Sequence, residues 1–138
     1  MASGMSDYLK NELLDHVFGC QSRNWTTTAN LWVALSTADP GADGSGLSEP
    51  AGGNYSRVET DSADWNVAAG GIVDNAAEIQ FPVPSGSWGL CTHWAIMDAV
   101  SGGNMIWRAP LTTPKTINSG DDVSFQIGDL ESKIEDKA

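Results

Sequence analysis

Only one stretch of this 138-residue chain sustains a helical period, and it ends at Gly19. From Ser6 to Phe18 the apolar residues Leu9, Leu13, Leu14, Val17 and Phe18 share one face of a 3.6-residue repeat. Ser6 or Asp7 can cap the start, and Gly19 can take the left-handed conformation that closes such a helix. Lys10, Asn11, Glu12 and Asp15 make the polar side. A helix of this kind packs on its own domain or docks on a partner; the sequence favours the first.

Beyond Gly19 the period shortens. Leu31–Leu35 reads as a buried strand, then Ser36–Asn54 (STADPGADGSGLSEPAGGN) offers almost nothing to bury and is expected to be a long surface loop. Further strands are expected at Tyr55–Glu59, Trp65–Ala68 and Ala77–Phe81, the last stopped by Pro82 and Pro84. A hairpin is expected from Leu90–Asp98 back through Asn104–Ala109, because the glycines between its arms permit a reversal. A final strand, Val123–Ile127, is expected to place Val123, Phe125 and Ile127 on one face. Turns at about 8 to 12 residue intervals define a mainly β fold, a β-sandwich or jelly-roll-like domain preceded by one short amphipathic helix. The expected layout is an N-terminal extension (1–5), one domain (6–130) and a charged tail (131–138). At this length a single domain buries roughly 70% of its unfolded surface.

Charge narrows the partners. Eighteen acidic residues against seven basic give a net charge of −11, so direct nucleic-acid binding is excluded for want of Lys and Arg to cluster. No apolar run approaches the roughly 20 residues of a membrane span. No basic segment followed by an apolar stretch opens the chain, which is expected to be made first in a cytoplasm. Cys20 and Cys91 then read as unpaired thiols, with a disulfide between them the lesser alternative.

The residues that carry chemistry are sparse. Cys91 and His93 stand two apart on a strand, hence on one face, but any such pair does, and packing is the better account. His16 is expected to be solvated. Asp39, Asp43, Asp121 and Asp122 could meet around calcium, although the spacing of a calcium loop is absent. The glycines of GADGSG lack the Lys-Ser/Thr and helix of a phosphate loop. Trp32, Trp94 and Trp107 belong to strands and to a core; Trp25, Trp65 and Trp88 flank loops and are the candidate exposed aromatics for a sugar platform. No catalytic residue, cofactor or metal site is assigned, and an enzyme is not expected.

Four segments carry a resemblance: MSDYLKNELLDHVFG (5–19), LWVALSTADPG (31–41), SWGLCTHWAIMDAVSGGNMIW (87–107) and APLTTPKTINSGDDVSFQIGDL (109–130). Together they resemble a family of short tailed-bacteriophage virion proteins, labelled as tail-fibre or head decoration proteins. The family-like start at Met5 implies that Met1–Gly4 is an upstream extension. The resemblance implies a structural part of the particle's exterior, without catalytic residues. Small size and the missing fibrous shaft favour a capsid decoration (cement) protein that stabilises the head. The alternative is a tail-fibre or adsorption component that meets the host surface, with carbohydrate among its targets. The expected partners are the major capsid protein or other virion proteins, and copies of the chain itself as a homotrimer. Candidate contacts are Asp7, Leu9, Leu13 and Phe18 on the helix, Asp39, Asp43, Leu47 and Glu49 in the long loop, and Gly102 and Asn104 at the hairpin tip. On that reading, deleting Ala42–Ala51 leaves the fold intact and weakens attachment.

Overall fold

The computed structural model describes residues 4–20, 25–26 and 28–134. Among them are one α-helix, α1 (Asp7–Phe18), and nine strands: β1 (Gly4–Met5), β2 (Leu31–Ser36), β3 (Val58–Thr60), β4 (Ile72–Asp74), β5 (Ile79–Gln80), β6 (Gly89–Met97), β7 (Met105–Ile117), β8 (Ser124–Phe125) and β9 (Glu131–Lys133). Five strands form an antiparallel sheet in the order β1-β7-β6-β2-β3; β4 pairs with β9 and β5 with β8 as two separate ribbons. The fold is mainly β with a multistranded antiparallel sheet and one N-terminal helix, as the periodicity requires.

Alternation assigns the two sheet faces. Val33 lies opposite Val58 and Ile96, Leu35 opposite Trp94, and Ile96 and Trp94 opposite Trp107 and Ala109, so these side chains share one face. Ile79 and Phe81 from the β5 segment, Phe125 from β8, and Leu130 pack against them in one core. Phe81, Leu35 and Leu130 are fully buried, each worth roughly 1.5–3 kcal/mol of apolar burial. Trp88 meets Tyr55 edge-on at 5.2 Å and closes one end of that core. The opposite face presents Ala34, Ala95, Met97 and Met105, a second cluster against which Trp32 and Leu47 pack.

Leu47 belongs to the long loop, and this corrects the expectation of a long surface loop with almost nothing to bury. Pro40 and Pro50 are buried within it. Thr37 N–H donates to Ser48 O, and Ser48 N–H donates to Ser36 Oγ, closing the loop on itself over the second face. It is a cover for the sheet.

The helix is capped as read: Ser6 Oγ accepts the Leu9 N–H at 3.1 Å, and Gly19 sits at φ 69°. Its apolar stripe divides, however. Leu9 packs on the core and Leu13 is half-buried, while Leu14, Val17 and Phe18 are exposed. No helical residue is buried. His16, expected in solvent, is half-buried with its Nδ1 covered.

Several strand boundaries differ from the sequence reading. Trp65 makes only an isolated bridge to Asn75, and Ile127 is exposed because the chain turns at Ile127–Gly128, so it leaves the face of Phe125. Gly4–Met5 pairs with Arg108 and Trp107 as β1, and Glu131–Lys133 pairs with β4, although the sequence placed both outside the domain proper.

Candidate functional site

The main irregularity of the sheet lies in β7. Cys91 pairs with Lys115 and His93 with Pro110, so Leu111, Thr112, Thr113 and Pro114 stand opposite Thr92 alone. A large bulge is the result, an arch that leaves the ladder between two prolines, neither of which has an N–H to donate. Thr112, Thr113, Pro114 and Lys115 are exposed along it. The bulge also turns Cys91 and His93 to opposite faces of the sheet. Cys91 is fully buried in the core, whereas His93 lies beside Asp39 of the loop, so the same-face pairing expected from their spacing does not occur. Burial pushes the Cys91 thiol up to about 11, which makes it a poor nucleophile. Cys20 is exposed, and the two thiols are unpaired.

A cleft opens on each side of the arch. One, of about 350 Å³, is floored by Leu35, Trp94, Ile117 and Phe125 and rimmed by Lys115 and Asp129. The other lies between the arch and Thr37–Asp39, with His93 in its wall. Beneath it, Asp39 Oδ1 accepts the Gly41 N–H at 2.9 Å and stands 3.9 Å from both His93 Nε2 and Arg108 Nε. Those two nitrogens are buried and have no hydrogen-bond partner among the described residues. At 3.9 Å the Asp39–Arg108 contact is an ion pair and not a hydrogen bond. Attraction between Asp39 and Arg108 holds the start of the loop against the sheet.

A second polar network ties down the remaining loop and the hairpin tip. The Glu49 carboxylate takes two parallel bonds from Arg57, Nε to Oε1 at 2.9 Å and Nη2 to Oε2 at 2.8 Å, and a third from the Tyr55 hydroxyl at 2.7 Å. Arg57 Nη1 also donates to the carbonyls of Ala99 and Gly102 at the tip. Burial works against the Glu49 charge, but hydrogen bonds from Arg57 and Tyr55, and the guanidinium's charge, outweigh it. The carboxyl is therefore held below its usual range. Burial, then the Glu49 hydrogen bond, drives the Tyr55 phenol strongly upward, so it stays a donor.

Most of the sequence-predicted contact residues are engaged inside the domain. Asp7 donates its N–H to Ala42 O and pairs with Lys10 at 3.4 Å. Asp43 accepts from Ser45, Glu49 and Gly102 belong to the Arg57 network, and Asn104 is held by both carboxylate oxygens of Asp98. Leu9 and Leu47 pack inward. Phe18 alone among them is a large apolar side chain left mostly exposed. The tryptophans do not form one platform. Trp88, expected exposed, is 4% exposed and donates to Gly53 O; Trp25 and Trp65 are half-buried and donate to Tyr8 and Thr60. The four aspartates considered for calcium do not converge as a group. Asp121 caps the Asn118 N–H and Asp122 accepts from Gln80, and no cluster of metal-ligating side chains occurs among the described residues.

The sequence reading missed the arch. Its signal was APLTTPK itself, two prolines four residues apart in what would otherwise be a central strand.

The fold is thus a mainly β domain with its long loop and hairpin tip tied inward and its remaining irregularity on the surface. The chain belongs to the family described as Podophage GP4 fiber I protein gp80, whose model matches residues 4–133. That match takes in every described strand and the helix. Among curated proteins, none matches the chain. The family is one of structural fibre proteins and is tail-fibre-like, so the chain is a virion component.

Proposed function

We propose that this chain is a fibre component of a podophage, a compact module that works through protein–protein contacts made by shape. The observation that carries this reading is the family match across residues 4–133, which leaves no separate segment of the described fold to carry a different role. The geometry agrees in kind. The loop and tip that would otherwise reach outward are fastened by Arg57 and Asp39, so the domain offers neighbours a preformed surface. Its partners are other virion proteins and further copies of the chain.

Size and the lack of a shaft ranked capsid decoration first in the sequence reading; the fibre family reverses that order. Antibody against the chain, gold-labelled on intact virions and imaged by electron microscopy, tests the assignment. Gold confined to the tail is the expected result. Gold over the whole head would replace the fibre reading with decoration on the major capsid protein, and unlabelled particles would remove both.

A further inference from the structure

Of the two clefts beside the arch, the one facing the long loop is walled by surface residues on firm supports. Ala38, Asp39, Thr112 and Pro114 are exposed along it, and it encloses about 750 Å³. Small-molecule sites occupy roughly 300–1,000 Å³. On the arch side, Pro110 and Pro114 restrict the backbone through their rings. On the loop side, Ser36 Oγ donates to Ala38 O at 2.7 Å and accepts the Ala38 N–H, while the Gly41 N–H fixes Asp39 Oδ1.

Asp39 is the polar centre of this cleft. Its Oδ1 faces the Gly41 N–H, His93 Nε2 and Arg108 Nε, whereas its Oδ2 has no hydrogen-bond partner among the described residues. His93 and Arg108 are 4% and 6% exposed, and those two nitrogens have no other partner there. The carboxylate is thus backed by buried groups and open in front. The Arg108 guanidinium offsets its charge, so the cleft is polar yet close to neutral. That balance decides the guest. An anion meets the exposed carboxylate of Asp39, and a cation gains little from a carboxylate already paired with Arg108. A metal ion finds no cluster of three ligating side chains among the described residues. A neutral hydroxyl fits, because it can donate to Oδ2.

We propose that this cleft binds a neutral saccharide. Its hydroxyls bond Asp39 Oδ2 and the side chains of Thr37, Thr92 and Thr112, and the C–H face of a sugar ring lies on Pro110, Leu111 and Pro114. A few placed polar groups against an apolar wall are the usual make-up of a small-molecule site. The inference goes beyond the fibre reading, which assigns the domain contacts with other proteins. It also separates sugar binding from the tryptophans, none of which lines this cleft.

Binding of the full chain to an array of neutral, aminated and acidic bacterial oligosaccharides tests the site, followed by solution titration with the best neutral binder. Neutral glycans should bind, and the amide NMR signals of Ala38, Asp39, Leu111 and Thr112 should shift on titration. Thr112→Ala, at an exposed position, should weaken binding roughly threefold to tenfold, the scale of one hydrogen bond. Asp39→Asn keeps an acceptor for the Gly41 N–H but removes the charge, and should cost roughly tenfold or more, as for a hydrogen bond to a charged group. Thr113→Ala, on the same arch but lining the other cleft, should change nothing. Circular dichroism confirms that each variant is folded. Failure of every neutral glycan to bind, shifts confined to other residues, or binding indifferent to both Thr112→Ala and Asp39→Asn would each overturn the proposal. None of those outcomes touches the gold-labelling result, so the saccharide site and the fibre location fail separately.

Discussion

Replacing Glu49 by Gln should destabilise the domain by about 3 kcal/mol at neutral pH. Arg57 is the reason. Its side chain is 4% exposed, and Glu49 supplies two of its four hydrogen bonds and its only ion-pair partner among the described residues. Breaking one side of a buried pair costs about 3–5 kcal/mol, because the remaining charge stays buried. The low end applies here, since Arg57 keeps the Ala99 and Gly102 carbonyls and the Glu49 side chain is 24% exposed. For a chain of this length, about 3 kcal/mol corresponds to a fall of roughly 10 °C in Tm. Thermal melts followed by circular dichroism would measure it. The pH dependence adds a sharper criterion. The folded carboxyl lies below its ordinary value of 4.5, so its contribution is complete above that value and is lost as pH falls through the folded one. The gap between wild type and Glu49→Gln should therefore close on acidification. A difference below about 1 kcal/mol at pH 7, or one that persists unchanged in acid, would refute the assignment of Arg57 as the residue that binds loop to tip.

Four further outcomes are expected. Asn75→Ala should cost about 3 kcal/mol, because the buried amide donates to Ala77 O and Gln126 O and accepts the Leu130 N–H; urea denaturation would measure it. Gly103→Ala should cost about 2 kcal/mol in the same assay, since φ is 74° and a Cβ would meet Asp98 Oδ1 at 2.5 Å and Ala99 Cβ at 2.6 Å. A thiol reagent applied to the native protein should modify Cys20 and spare Cys91 until denaturant is added, and rapid labelling of both would contradict the buried placement of Cys91. Deleting Ala42–Ala51 should unfold or severely destabilise the domain, because it removes Leu47 from Met97 and Met105 and takes Glu49 from Arg57; a truncated protein that melts like wild type would restore the loop to its role as a dispensable projection.

The helix, β2, and the β6–β7 hairpin were legible because their signals are local. A capping serine, a terminating glycine, a short apolar run and the paired glycines of a reversal each act within a few residues. The short ribbons were not legible for the complementary reason. Glu131–Lys133 carries no apolar alternation, and its pairing with Ile72–Asp74 is set by the buried Asn75 amide, which accepts the Leu130 N–H at the start of β9. Nothing in the sequence around either strand announces the other. The division of the α1 stripe was hidden likewise. Periodicity states which residues share a face, not how far along its length that face remains against the sheet.

The fastening of the long loop was not legible because composition was read as exposure. Gly, Pro, Asp and Ser fill the long loop, and a segment of that kind ordinarily lies in water. Here its few larger groups suffice to hold it down: Leu47 packs half-buried on the second cluster, Pro40 is buried, Asp39 faces Arg108, and Glu49 finds Arg57. A loop anchored at three points presents a fixed outline. The arch of β7 is the reverse case, a segment that reads as part of a strand yet leaves the ladder, since Pro110 and Pro114 cannot donate to it. The surface offered to partners is therefore set by two inversions: the loop that should project is fastened down, and the strand that should lie flat stands out.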